Sequence, residues 1–421
     1  MSTRTSAIFI FLFVLVTHFY SKVSYITDSR WTLHTAWQMV KHRNTQLDQY
    51  KPIIEQNNYY AIEETNGHLY YTFPPGTPLM CAPLMIVIQQ IGKRVFYVDT
   101  GSLLSGYYHG GIELFLAAFF VALAAAFLFL LLTSLDIDKW IVWLSVILFA
   151  FGTSAWSTAS RGLFAHGPSM LLIIIGLWAL VRSARNNNWL WLAGFVFGYA
   201  YITRPTNSIS LAVFGIYTLW VYRMQAYKFI VPATVVVLLF FKFNYGIYGH
   251  ILTPYYLPSK MGTDGNFFKG FSGNLFSPSR GLLINSPVFI MLFPLLGYMA
   301  FKKRVSALMV ASIAVVILHT YIISSFDNWY SGWCFGARYF AEAIPYLIVL
   351  FAIGLQQFMQ HQYGIYNKAA ITGVLVLGLL SCYINYQGAN NIHTFEWNYK
   401  PVDIIDSQNR VWDWHDIQFL R

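Results

Sequence analysis

Residues 112–133 read IELFLAAFFVALAAAFLFLLLT, an almost uninterrupted apolar run. As a helix it is long enough to cross the roughly 30 Å hydrocarbon layer of a bilayer, which takes about 20 residues. Runs of the same kind recur at about 7–25, 139–158, 163–182, 189–203, 207–222, 229–246, 284–301, 306–325, 339–358 and 369–386. Of 421 residues, 57% are hydrophobic and 10% charged, against roughly 25% charged in soluble domains. The chain needs a lipid solvent, and the expectation is an all-α polytopic membrane protein of about eleven transmembrane helices.

The first run has a cationic start at Arg4 but ends in Phe19-Tyr20-Ser21-Lys22 with no small-residue cleavage site, so it is expected to stay as an anchor helix. The net charge of +10 comes from Lys and Arg scattered between the spans, not gathered on one face. Lipid head groups and anionic substrates fit that pattern better than nucleic acid. Cys81, Cys334 and Cys382 show no metal-ligand spacing.

Short loops rich in Lys and Arg stay cytoplasmic. With the N-terminus inside, the inner loops are Arg182 to Asn188, Arg223 to Lys228 and Lys302-Lys303-Arg304. The outer side then receives 26–111, Ser160-Arg161-Gly162, Thr203-Arg204-Pro205, 247–283, 327–338 and a tail from 387. Every motif-like loop falls outside, so one membrane domain over 1–386 with embellished outer loops is expected, with a tail of 387–421. Cys81 and Cys334 share that side, which leaves a bridge between them open. Asp136 and Asp138 mimic the Asp-x-Asp metal motif but fall in a tight inner turn, where solvated loop residues are the simpler reading.

Outside the first helix, Asp28 precedes Trp31, Leu33, Trp37 and Val40, whose spacing makes one apolar helical face suited to an interfacial helix. Asp28 can cap that helix, act in catalysis, or both. Tyr59 to Phe73 is expected to form a hairpin about Asn66-Gly67, with Glu63 and Glu64 as solvated strand residues. A stiff Phe73-Pro74-Pro75-Gly76-Thr77-Pro78 path then returns to the membrane. Arg161, His166, Arg204 and Lys242 stand at outer helix ends, where charge faces either a cavity or the lipid interface; for Arg161 and Lys242 snorkelling is the simpler reading. The loop from Gly249 to Ser286 adds Lys260, Lys269 and Arg280. The run Trp329-Tyr330-Ser331-Gly332-Trp333-Cys334-Phe335-Gly336-Ala337-Arg338-Tyr339 offers aromatic faces for a sugar or isoprenoid and an arginine fork for phosphate.

In order and spacing, Asp28, the stretch Tyr71 to Pro75, Arg204-Pro205, Ser277 to Pro287 and Trp329 to Tyr339 resemble the GT-C glycosyltransferases. The likeness is to bacterial relatives of protein mannosyltransferases and aminoarabinose transferases. It implies a GT-C-like bundle whose first outer loop carries interfacial helices and a small β-hairpin. It also implies transfer of a sugar from a polyprenyl-phosphate-linked donor to a glycan, lipid or protein acceptor on the outer face of a bacterial inner membrane. In that frame Asp28 is the base, and Arg338, Arg280, Lys260, Arg204 and His166 form the donor-phosphate pocket. Trp329, Tyr330, Trp333 and Tyr339 shape the substrate site. Ser29 stands where many members have a second acid, so no cofactor is certain and a divalent cation is left open. The rivals are a transporter or flippase of lipid-linked or soluble substrates, which should have functional loops on both faces, and a non-catalytic membrane scaffold.

Overall fold

The computed structural model describes residues 2–25, 27–57, 61–104, 110–257, 262, 265–361 and 364–421. Helices dominate, because in lipid a helix satisfies its own backbone polar groups. In chain order they include α1 (Thr3–Phe19), α2 (Thr32–His42), α3 (Lys51–Asn57), α4 (Gly76–Ile91), α5 (Thr100–Leu104), α6 (Gly110–Ser134), α7 (Lys139–Phe151), α8 (His166–Ser183), α9 (Trp189–Thr203), α10 (Ser208–Tyr222) and α11 (Tyr227–Tyr248). There follow α12 (Phe267–Phe276), α13 (Leu282–Asn285), α14 (Leu292–Phe301), α15 (Ala307–Ser324), α16 (Ile344–His361), α17 (Ile365–Asn390) and α18 (Ile392–Glu396).

The loops sort into two ends. At one, the Asp138 amide bonds Gln356, Ser183 bonds Tyr222, Lys228 bonds Asn188 and Arg304 bonds Gln357. At the other, Ser29 bonds Glu113, His166 bonds Glu342, Tyr248 bonds the Tyr71 carbonyl and Asn385 bonds the Asn285 carbonyl. The grouping is the one that counting Lys and Arg in the loops separates. Six helical stretches are long and apolar enough to cross a membrane by length and composition, with α1, α7, α9 and Pro287–Phe301 shorter apolar helices. One of the six, Pro205–Tyr248, is α10 and α11 together, reversed at Arg223, whose φ is +47°.

Another of the six is Gly76–Phe96, which lies wholly within the region expected outside the bundle. Its start is tied to the site end, where Tyr199 Oη donates to the Gly76 carbonyl. Its far end is tied there too: Gln89 accepts from the Thr100 amide, and four residues on the Leu104 carbonyl meets His34, just inside α2. A helix with both ends at one level lies along the membrane surface. α2 packs beside it.

Above α2 stands the expected hairpin, β1 (Ile62–Thr65) paired antiparallel with β2 (His68–Tyr71), Thr65 facing His68. Asn66 and Gly67 both have positive φ, +54° and +79°, the twist that a two-residue turn needs. Tyr59 lies outside the described residues. Asp48 holds the hairpin down by accepting from the Leu69 amide at 2.8 Å and bonding His68 at 2.6 Å. Trp31, Leu47, Tyr50 and Leu69 form a small core between hairpin and α2, while Leu33 and Trp37 turn toward the bundle core.

All three cysteines are free, so the bridge left open between Cys81 and Cys334 is not formed: Cys334 Sγ lies 3.0 Å from Ser331 Oγ, and Cys81 is buried in the bundle core. Arg161 does not snorkel; fully buried, it donates to the carbonyls of His18, Ser21 and Val23, closing the C-terminal end of α1 where a cation is favoured. The N-cap position of α2 is Trp31, three residues past Asp28, and its own side chain makes no capping bond.

Candidate active site

Asp28 follows the end of α1, Arg338 begins a short 3-10 turn ahead of α16, and the fold brings them into an ion pair. Arg338 is buried, with its guanidinium carbon 4.5 Å from the centre of the Phe164 ring. Burial opposes its charge, but the Asp28 carboxylate, with Cys334 and Tyr339 beside it, outweighs that penalty and holds its pKa above the usual arginine value. The backbone of Asp28 is fixed as well, since its carbonyl accepts from Tyr71 Oη at the end of β2.

Behind this pair lies a second acid that the motif reading did not single out. Glu342 bonds His166 Nδ1 at 2.7 Å and Arg204 Nε at 3.2 Å. The other imidazole nitrogen, His166 Nε2, faces Arg338 Nε at 3.1 Å and Arg204 Nη1 at 3.3 Å. Guanidinium nitrogens only donate, so Nε2 must carry the lone pair and Nδ1 the hydrogen given to Glu342. One neutral imidazole thereby orients two guanidiniums. Burial disfavours the Arg204 charge, but Glu342 together with the Tyr256 and Tyr339 hydroxyls outweighs it, leaving its pKa raised.

A cavity of about 510 Å³ opens on this cluster, lined by Asp28, Arg204, Arg338, Tyr255, Tyr256 and Tyr339 among others, within the ~300–1,000 Å³ usual for small-molecule sites. Trp333 lines it and anchors to the tail through Nε1 to Asp403 at 3.0 Å. Phe73 stacks on Tyr255 with ring centres 4.2 Å apart, closing the hairpin side. The Tyr255 hydroxyl has its pKa raised, first by burial and then by the Asp28 charge, so it stays protonated and available as a donor.

Other expected site residues are elsewhere. Arg280 is fully buried and spends its donors on the Tyr330, Ser279 and Gly332 carbonyls, Gln418 and Asn398. It bolts the motif loop to the C-terminal tail and does not line the cavity space beside Asp28. Trp329 and Tyr330 are likewise buried against Trp397, Ile404 and Val411. Lys260 lies outside the described residues. Asp138 is at the opposite end of the bundle, beside Gln356. Ser29, in the place of a second acid, donates to the buried carboxylate of Glu113. Among the described residues no group of three or more His, Cys, Asp and Glu comes together in a way that could hold a metal.

A bundle of apolar helices whose first loop carries short helices and a two-stranded hairpin has a GT-C-like membrane fold. The chain is similar to the archaeal oligosaccharyltransferase AglB from Archaeoglobus fulgidus, solved in complex with an inhibitory peptide and a dolichol-phosphate, with a TM-score of 0.51 and 14% identity. The likeness covers 96% of this chain and 59% of that one, so this chain spans about three-fifths of its neighbour's length. At 14% identity it is the fold that the two share. The sequence matches no protein-family model and no curated protein.

Proposed function

We propose that this protein is a membrane glycosyltransferase that moves a sugar from a polyprenyl-phosphate donor to an acceptor at the extracytosolic face, with inversion. The observation that carries the reading is the part-buried Asp28–Arg338 pair, backed by Arg204, at the mouth of a cavity. The shared fold with a chain solved with a dolichol-phosphate supports the donor class.

In the reaction an acceptor hydroxyl attacks the anomeric carbon of the sugar while Asp28 takes its proton. The bond between that carbon and the phosphate oxygen breaks, and its electron pair leaves on the phosphate. The donor diester carries one negative charge and the departing monoester two, so charge grows where Arg338 and Arg204 stand. Fixed donors aimed at developing charge in a water-poor site supply much of a rate enhancement. Without donor, Arg338 occupies Asp28. An arriving phosphate competes for the guanidinium and frees the carboxylate to act, which couples base activation to donor binding.

General-base help contributes about 10² to 10⁴ in rate. Asp28→Asn should therefore lower transfer from a polyprenyl-phosphate sugar in membranes by that much, with donor binding retained. Transfer near the wild-type rate would end the assignment of the base.

A further inference from the structure

A second cavity, of about 1000 Å³, lies on the flank of the bundle and shares no lining residue with the cavities beside Asp28. Its floor is apolar, built from Leu79 of α4, Phe195 and Ile202 of α9, and Val236, Leu239 and Phe240 of α11. Those two helices sit close because a Cβ on Gly194 or Gly198 of α9 would meet backbone of Phe229 or Ala233 on α11. The rim is polar: Arg43, Asn44, Thr45 and Gln46 at the end of α2, and Lys242 on α11.

The two cations decide what fits. Lys242 stands six residues before Tyr248, the last of α11, hence roughly 9 Å below the site end at 1.5 Å per residue. That is head-group depth. Arg43 closes the surface-lying α2 in a left-handed conformation, φ +55°, after Lys41 and His42. Among the described residues neither Arg43 nor Lys242 has a side-chain hydrogen bond or an ion pair. A charge at membrane depth needs an anion or water beside it, and an apolar floor beneath adds the demand for a long apolar chain.

We propose that this groove binds an anionic phospholipid of the surrounding bilayer, its phosphate between Arg43 and Lys242 and its acyl chains along α9 and α11. The donor of the proposed reaction is not the occupant, because a phosphate held here is walled off from Arg338. The wall is one strand of chain: Tyr70 and Pro75 line the groove, while Tyr71, Phe73 and Pro74 line the catalytic side. The lipid thus buttresses the segment that closes the sugar site. This assignment is independent of the transferase reading, and its test needs no activity.

Full-length protein in detergent is given equimolar phosphatidylglycerol and phosphatidylcholine, and retained lipid is counted by native mass spectrometry. The wild type should retain phosphatidylglycerol selectively. Arg43→Gln with Lys242→Gln should weaken that retention roughly twenty-five-fold, at about fivefold for each cation near an anionic head group. Both positions are exposed, so folding should hold, checked by an unchanged melting temperature in detergent alone. Lys302→Gln with Lys303→Gln, at the opposite end, should change nothing. Equal retention of the two lipids, full retention by the Arg43/Lys242 variant, or displacement of phosphatidylglycerol by equimolar undecaprenyl phosphate would each overturn the assignment.

Discussion

Glu342 carries the charge balance of the crevice. Asp28 and Glu342 supply two negative charges against Arg204 and Arg338, with His166 neutral between them. Neutralising one member of a buried ion cluster leaves an uncompensated charge, which costs roughly 3–5 kcal/mol. Glu342→Gln should therefore lower unfolding free energy by about that amount in chemical denaturation, and an unchanged midpoint would remove Glu342 from the balance. The arginines separate by the same method. Arg280→Lys strips donors from several buried acceptors at roughly 1–3 kcal/mol each and should destabilise the protein while donor affinity of the folded fraction holds. Arg338→Lys should weaken donor affinity markedly, because an ammonium lacks the planar fork. The converse result, with Arg280→Lys the one that loses donor binding, would place the phosphate pocket elsewhere. In sequence these two residues look alike, each an arginine among glycines and aromatics, because what tells them apart is a tail more than a hundred residues beyond Arg280. Glu342 left a readable signal, an acid at the head of an apolar run, where ionisable residues mark function. His166 and Arg204 were readable as well, as ionisable groups at outer helix ends, but their meeting at Glu342 was not, because only the packing of α8, α9 and α16 brings the three together.

At the scale of elements, local chemistry was legible and long-range tethers were not. Asn66-Gly67 announces its own turn, and the Trp31, Leu33, Trp37 face announces α2. The length and hydropathy of Gly76–Phe96 point to a crossing, yet hydrogen bonds at Gly76, Gln89 and Leu104 keep it at one level. Only those bonds decide it. Single cysteines at Glu55 in α3 and Lys93 beyond α4, in a chain whose native cysteines are replaced by serine, test the point because both side chains are exposed. A membrane-impermeant maleimide should label both from the same side of sealed vesicles. Labelling of Lys93 from the side that carries Lys302 would show that the helix crosses and would reverse the sidedness of everything after it.

Across the whole molecule, the helices sort their loops so that one end is short, basic and bare while the other holds Asp28, Glu342, the hairpin and the tail. That asymmetry was legible because it rests on counting Lys and Arg, a signal that survives errors of several residues in each span. It also has a chemical consequence for the proposed function. On that proposal the site lies at the extracytosolic end, out of reach of cytoplasmic nucleotide sugars, and an activated donor must arrive already attached to a lipid and already on that face. A phosphatase reporter that folds only outside the cytosol should be active when fused after Arg421, whose side chain bonds Asp416 in the tail over the motif loop. The same reporter after Lys303 should be silent, and a fluorescent protein that matures only in the cytosol should show the opposite pattern. Phosphatase activity confined to the Lys303 fusion would put Asp28 and Arg338 on the nucleotide-rich side, and a lipid-phosphate donor would no longer be required.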